Sequence, residues 1–324
     1  MPPRTVAAIT DSNSVSVILQ PTQDLSALVP APFRNGQNPS GKPKAGDYAE
    51  NVTKMINHAC RQYEVLLATE DPYPSSSTAV SWAARTWTDV LHSSPSKYRL
   101  CSRIEKIITS RSSHARGALR DRVRPLIASS YGFVTDGSAR AKQRNMARYS
   151  YLLDSDSMAP EPRFYYADLD KRQGFAKNPI ILTVLKEHWF GSSDGAGIKY
   201  PVQFSPVREV TLALIFTTIE YCLDQWATGL WDKNITFANK AYHVKYQQHL
   251  RHIQEWGSLD LDSSRQIRQR MYDRARRASG ARQLLSHPQD CLMARESASG
   301  WIWRRRWRRL RMMKLLIPVA QQHE

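Results

Sequence analysis

Apolar residues recur along most of this chain at helical spacing. From Asp47, the positions Tyr48, Val52, Met55, Ile56, Ala59, Tyr63, Leu66 and Leu67 fall at three- and four-residue steps and so share one helix face. Pro72 and Pro74 end that helix. A second is expected from Thr78, read as an N-cap, and carries Val80, Ala83, Ala84, Trp87, Val90 and Leu91 up to the break at Ser93-Ser94-Pro95. From about Ser96 the pattern predicts one long helix with a stripe from Leu100 to Ile127, kinked at Pro125. Its other face is basic, through Arg103, Lys106, Arg111, Arg116, Arg120, Arg122 and Arg124. A further helix is expected over Ser138–Leu153. Residues 154–178 read as irregular, with Phe164-Tyr165-Tyr166 as an extended piece or an aromatic plug. Asn178-Pro179 reads as cap and first helical position of a helix running to Phe190, followed by a Gly/Ser-rich loop to Phe204. Ser205-Pro206 repeats the cap signal ahead of a segment, 207–227, that is apolar nearly all round, the mark of a central buried helix; Gly229 closes it. The last helix is expected near Ile235–Trp256, burying Phe237, Ala241, Val244 and Ile253 with Tyr242 and Tyr246, and closed by Gly257.

The fold class is therefore all-α: one multi-helix domain over 46–257. The flanks differ in kind. Residues 1–45 hold 7 of the 18 prolines and few large apolar groups, so this leader is expected to be disordered. Residues 258–324 form a basic, partly helical tail, with a polar basic helix expected over Arg265–Arg282. The net charge of +17 is concentrated there: +9 falls on the last 67 residues. The most apolar stretch, Val210–Leu223, is too short to span a bilayer and contains Glu220, so no transmembrane segment is expected. The four cysteines, Cys60, Cys101, Cys222 and Cys291, are scattered with no CxxC pair, which fits a reducing compartment and argues against a zinc module. No signal-like run follows the N-terminus, so an intracellular location is expected and a nuclear one fits the basic tail.

Candidate chemistry is sparse. Glu220 and Asp224 lie one turn apart on the most buried helix, and His249 and His252 lie three apart on the last one, after His243. A carboxylate–histidine site between neighbouring helices would suit acid–base or metal chemistry, and structural ion pairs account for the same residues. Asp154-x-Asp156 and Asp168-x-Asp170 lack the glycine and glutamate an EF-hand loop needs, and read as turns. Gly191–Gly197 lacks the lysine of a phosphate loop and reads as an inter-helix loop. No metal and no cofactor is expected. Val15-Ser16-Val17-Ile18 in the leader could add to a partner's sheet edge, and Arg276-Arg277-Ala278-Ser279 resembles a basic kinase site.

In the tail, Trp303 and Trp307 share a helix face with Leu310 and Ile317, amid Arg304, Arg305, Arg306, Arg308, Arg309 and Arg311. Arginine neutralises phosphate and tryptophan stacks on unpaired bases. The same composition suits an anionic membrane surface or a nuclear-import signal, or belongs to an extension without function.

Phe164-Tyr165-Tyr166, Asn178-Pro179-Ile180-Ile181, Phe204-Ser205-Pro206, the 207–226 helix with Gly229, and Tyr242-x3-Tyr246-x2-His249 resemble, together, a domain of unknown function expanded in mushroom-forming basidiomycete fungi. The resemblance covers about residues 46–256. It implies a helical fold and carries no catalytic residues. The expectation is a non-enzymatic helical interaction module, nucleic-acid-associated through its tail and open to protein partners. The alternatives are an enzyme or metal protein built on Glu220, Asp224 and His249, or a structural scaffold.

Overall fold

The computed structural model describes residues 28–154 and 160–280. These form an all-helical domain, with isolated β-bridges in place of strands among the described residues.

α1 (Glu50–Thr69), α2 (Ser76–Ser93) and α3 (Ser102–Thr109) enclose one part of the core, where Tyr63, Trp87, Ile104 and Ile108 are buried. The N-cap of α2 is Ser75, whose hydroxyl accepts from the Thr78 amide at 3.1 Å, rather than Thr78 itself. The long helix expected from Ser96 is two. α3 ends at Ser110, and α4 (Arg111–Tyr131) starts at once and runs through Pro125 to Gly132. Both halves of the apolar stripe keep helical spacing across the break, which is why periodicity alone does not show it.

The packed chain begins earlier than the pattern suggests. Residues 28–45, inside the proline-rich leader, lie across this first layer. The Ala49 amide donates to Pro32 O at 3.0 Å, and the Arg99 amide to Val29 O at 2.9 Å. Ala31 is buried, Phe33 packs its ring 4.8 Å from Tyr48, and Arg103 reaches Asp47 at 2.7 Å.

α5 (Ala139–Leu153) is capped by Ser138, which accepts from Ala141 N at 3.1 Å. The Phe164-Tyr165-Tyr166 segment is a short 3-10 turn and is fully buried, so it is the aromatic plug rather than an extended piece. α6 (Pro179–Trp189) is capped by Asn178 as the sequence predicts. The Gly-rich loop holds two single-turn helices, α7 (Ala196–Lys199) and α8 (Pro201–Phe204).

α9 (Glu209–Asp224) is the central helix. It packs against α1, α4, α6 and α10, and every residue from Thr211 to Ile219 is buried. Its polar threonines are satisfied by backbone: Thr217 on Ala213 O at 2.7 Å, Thr218 on Leu214 O at 2.8 Å, and Thr211 on Ala68 O of α1 at 2.7 Å. The helix is shorter at its start than 207–227; Arg208 is its N-cap, so Ser205-Pro206 precedes the helix instead of capping it.

α10 (Asn239–Leu259) does not stop at Gly257, which lies within it, and Val244 is 60 % exposed rather than buried. Asp260 then caps α11 (Leu261–Ala278), accepting from Ser263 N at 2.9 Å. α11 is the basic helix expected of the tail, yet it belongs to the core. Met271, Tyr272 and Ala275 are buried, Tyr272 sits edge-on to Phe190 at 5.6 Å, and Arg268 pairs with Glu209 at 3.2 Å. Trp303, Trp307 and the arginines Arg304 to Arg311 lie outside the described residues.

Candidate functional site

α9 and α10 are the most extensively packed pair of helices, and their interface carries the candidate carboxylates and histidines. The four-residue spacing of Glu220 and Asp224 faces an equal spacing of Lys245 and His249. Glu220 Oε2 lies 2.8 Å from His249 Nε2, close enough for an ionic contact although not aligned as a hydrogen bond. Lys245 Nζ bridges the two acids, 2.7 Å from Glu220 Oε1 and 2.7 Å from Asp224 Oδ2. Asp224 also accepts from the Tyr242 hydroxyl at 2.8 Å and from Tyr149 of α5 at 3.0 Å.

The network runs inward from His249. Its Nδ1 is hydrogen-bonded to the Tyr165 hydroxyl, which also meets His252 Nδ1 at 3.1 Å. Tyr165 itself stacks on Phe216 of α9, with centroids 4.3 Å apart. The 3-10 turn thus drives a phenol into the core, and the α10 histidines satisfy it. His243 takes no part; it stacks on Tyr73 with centroids 5.1 Å apart.

The electrostatics follow from burial and pairing. Burial alone would raise the Glu220 carboxyl, but His249 and Lys245 outweigh it and hold the group down at about 2. Burial likewise opposes the charge on Lys245, and the two carboxylates raise its pKa above the usual lysine value. Burial pushes His252 down, and burial together with Asp224 pushes the Tyr242 and Tyr149 phenols up. Cys222, next to this ladder on α9, has its thiol pushed up to about 12 by burial, which leaves it inert at neutral pH.

Glu220, Asp224 and His249 are therefore brought together, but the two carboxylates are engaged by Lys245, Tyr242 and Tyr149, and His249 Nδ1 by Tyr165. The clefts beside α5 and between α1 and α4 reach none of the three. Among the described residues, no group of three or more His, Cys, Asp or Glu side chains is placed to hold a metal. Among the described residues the remaining acidic motifs are structural; Asp156 lies outside them. Asp154 pairs with Arg163 at 2.9 Å and Arg172 at 3.1 Å, and Asp168 closes a turn by accepting from Lys171 N at 3.0 Å. In the Gly-rich loop, a Cβ on Gly197 would lie 2.3 Å from the Phe190 ring, so that glycine answers a packing demand.

The sequence reading missed Lys245, Tyr165, Tyr242 and Tyr149 as members of the network. The signal for Lys245 was present: a base and a histidine at four-residue spacing, complementary to two acids at the same spacing. Nothing in the sequence announces Tyr165 or Tyr149, because their partners are 84 and 75 residues away.

Two clefts open on the described part of the domain. One, of about 360 Å³, lies beside α5 between Tyr131, Arg144, Arg148 and Tyr151. The other, of about 330 Å³, opens between α1, α4 and the 188–200 segment.

The fold and its centre define an all-helical domain organised on a buried ion-pair ladder. The chain belongs to the family described as a domain of unknown function, DUF6532, whose sequence profile matches residues 58–256. That span starts within α1 and ends within α10, leaving the 28–45 strap and α11 outside it. No curated protein and no solved structure matches the chain. No helix of the described residues is long and apolar enough to cross a membrane.

Proposed function

We propose that this chain is a non-enzymatic helical interaction module that associates with nucleic acid. Contact would run through the 281–324 segment, with Arg304, Arg305, Arg306, Arg308, Arg309, Arg311, Trp303 and Trp307, aided by the α5 surface of the domain. The observation that carries this reading is α5. The helix holds Arg140, Lys142, Arg144 and Arg148 and no acid, and the first three are exposed without an ion pair among the described residues. The cleft beside it contains Tyr151, flanked by the guanidinium groups of Arg148 at 5.2 Å and Arg163 at 4.9 Å. Asn145 of α5 holds the Gly229 carbonyl at 2.9 Å, and the next residues leave Trp231 47 % exposed. Cations interleaved with open aromatic rings favour phosphate backbones and unpaired bases. Basidiomycete ancestry and a nuclear location complete this reading.

The test is binding of single-stranded and duplex nucleic acid across a salt series, by the full chain and by residues 1–280. The full chain should bind more tightly and with a steeper loss on adding salt. Equal, salt-insensitive binding by both would defeat the proposal.

A further inference from the structure

The second cleft lies away from α5 and from the buried ladder. Its walls come from α1, α4, the end of α6 and the 194–200 segment, and its volume is about 330 Å³. That is the low end of the range for small-molecule sites. Four cations converge on it: Arg61, Arg111, Arg116 and Lys199. Two acids offset two of them. Glu64 takes the Arg111 guanidinium at 2.6 Å, and Asp194 takes Lys199 at 2.8 Å. Arg61 and Arg116 have no ion pair among the described residues.

Arg116 is the informative one. It is half-buried, and burial lowers its pKa from the usual value against the opposing pull of Tyr73, Tyr63 and Asp71. Its one hydrogen bond among the described residues goes to Pro72 O at 2.6 Å, and its guanidinium lies 4.7 Å from the centre of the Tyr73 ring. A guanidinium has five donors, and half-burying it with no carboxylate in ion-pair contact among the described residues is unfavourable. An anion in the cleft would supply that charge and accept the remaining donors. His188, also on the wall, is held near 4 by burial and by Arg122, so its ring is neutral at pH 7 and can hydrogen-bond a ligand. The floor is apolar, made by the buried side chains of Leu67, Leu119 and Leu214.

We propose that this cleft binds a small organic anion, a carboxylate or phosphate headgroup on a ring-sized apolar body. The headgroup sits between Arg116 and Lys199, and the body rests on the leucine floor. This goes beyond the nucleic-acid reading and stands or falls independently of it.

The test is calorimetric titration of the full chain at fixed ionic strength. Phenyl phosphate and benzoate distinguish the two headgroups, with inorganic phosphate and phenol as half-probes. At least one of the two aromatic anions should saturate at least tenfold more tightly than either half-probe. Arg116→Met and Lys199→Met should each weaken that binding fivefold or more, while Arg85→Gln, exposed on α2 and outside the cleft, leaves it unchanged. Lys199 is exposed, so Lys199→Met keeps the test valid if Arg116→Met fails to fold. The proposal is overturned if neither aromatic anion saturates or if folded cleft variants bind as the wild type does. It is equally overturned if Arg85→Gln weakens binding as much as they do, since the attraction would then be a general effect of net charge.

Discussion

Glu220 shows how a residue that invites a catalytic reading serves the fold. It is 14 % exposed, sits against two bases, and is held at about 2 from an ordinary 4.5. A carboxyl depressed in this way stabilises the folded state fully above pH 4.5, and the contribution drains away as pH falls through 2. The shift corresponds to roughly 3 kcal/mol at neutral pH. Glu220→Gln should therefore cost about that much at pH 7 in urea unfolding, and the gap from wild type should close between pH 4.5 and 2. Identical acid profiles for the two proteins would mean that the ladder contributes nothing. Gly229 makes a second residue-scale case. Its φ is +82°, and a Cβ there would lie 2.2 Å from the Lys142 carbonyl oxygen. Gly229→Ala should lower the melting temperature by an amount equivalent to about 2 kcal/mol or more, since neither the left-handed backbone nor the neighbouring helix backbone can yield cheaply. A silent substitution would show that α5 shifts away freely.

At the scale of elements, the sequence shows helices well and their partners poorly. α1, α6 and α9 are legible because their buried faces are dense in apolar residues and two of their flanks carry Pro or a capping side chain. α11 is misread for an equally physical reason. It is rich in arginine, and only Met271, Tyr272 and Ala275 mark its buried stripe. Six apolar positions in eighteen, two of them alanine, suggest a solvated helix until Phe190 and Val207 are seen beneath it. The strap over 28–45 is hidden similarly, since its hold comes from backbone hydrogen bonds that leave no periodicity. Of the candidate site, Glu220, Asp224 and His249 were visible by spacing, whereas Tyr165 was visible only as an aromatic run of unassigned role. A cut at residue 257 would remove all of α11, expose Phe190 and release Glu209 from Arg268. Losing a buried tyrosine alone costs about 3 kcal/mol or more, against a total margin of about 5–15. Residues 1–257 should lose a cooperative thermal transition and near-ultraviolet circular dichroism, and residues 1–280 should keep both. Equal melting of the two fragments would place α11 outside the cooperative unit.

With α11 in the core, the charge of the whole molecule divides differently. Residues 281–324 carry net +6, and residues 28–280 carry +12, so the helical domain is itself strongly basic. Much of that charge is tied down, as in the pairs of Arg103, Arg111, Arg163 and Arg268, and such pairs attract little beyond themselves. Part of what remains unpaired on the domain lies on α5, and the tail adds six arginines within 304–311. The two contributions separate by their salt dependence, because each phosphate neutralised releases counterions. The slope of log K against log salt is about −0.9 per contact on duplex and about −0.7 on single strands. Removing 281–324 should flatten the slope by roughly 3–5 if the tail arginines lie on the backbone. Lys142→Glu with Arg144→Glu in the 1–280 fragment should flatten what is left by a further 1–2 or so. Trp231→Ala should weaken single-strand binding with little change of slope, because stacking releases no counterions. A slope that survives the truncation unchanged would move the interaction onto the domain alone. A slope indifferent to the α5 reversals would remove the domain from it.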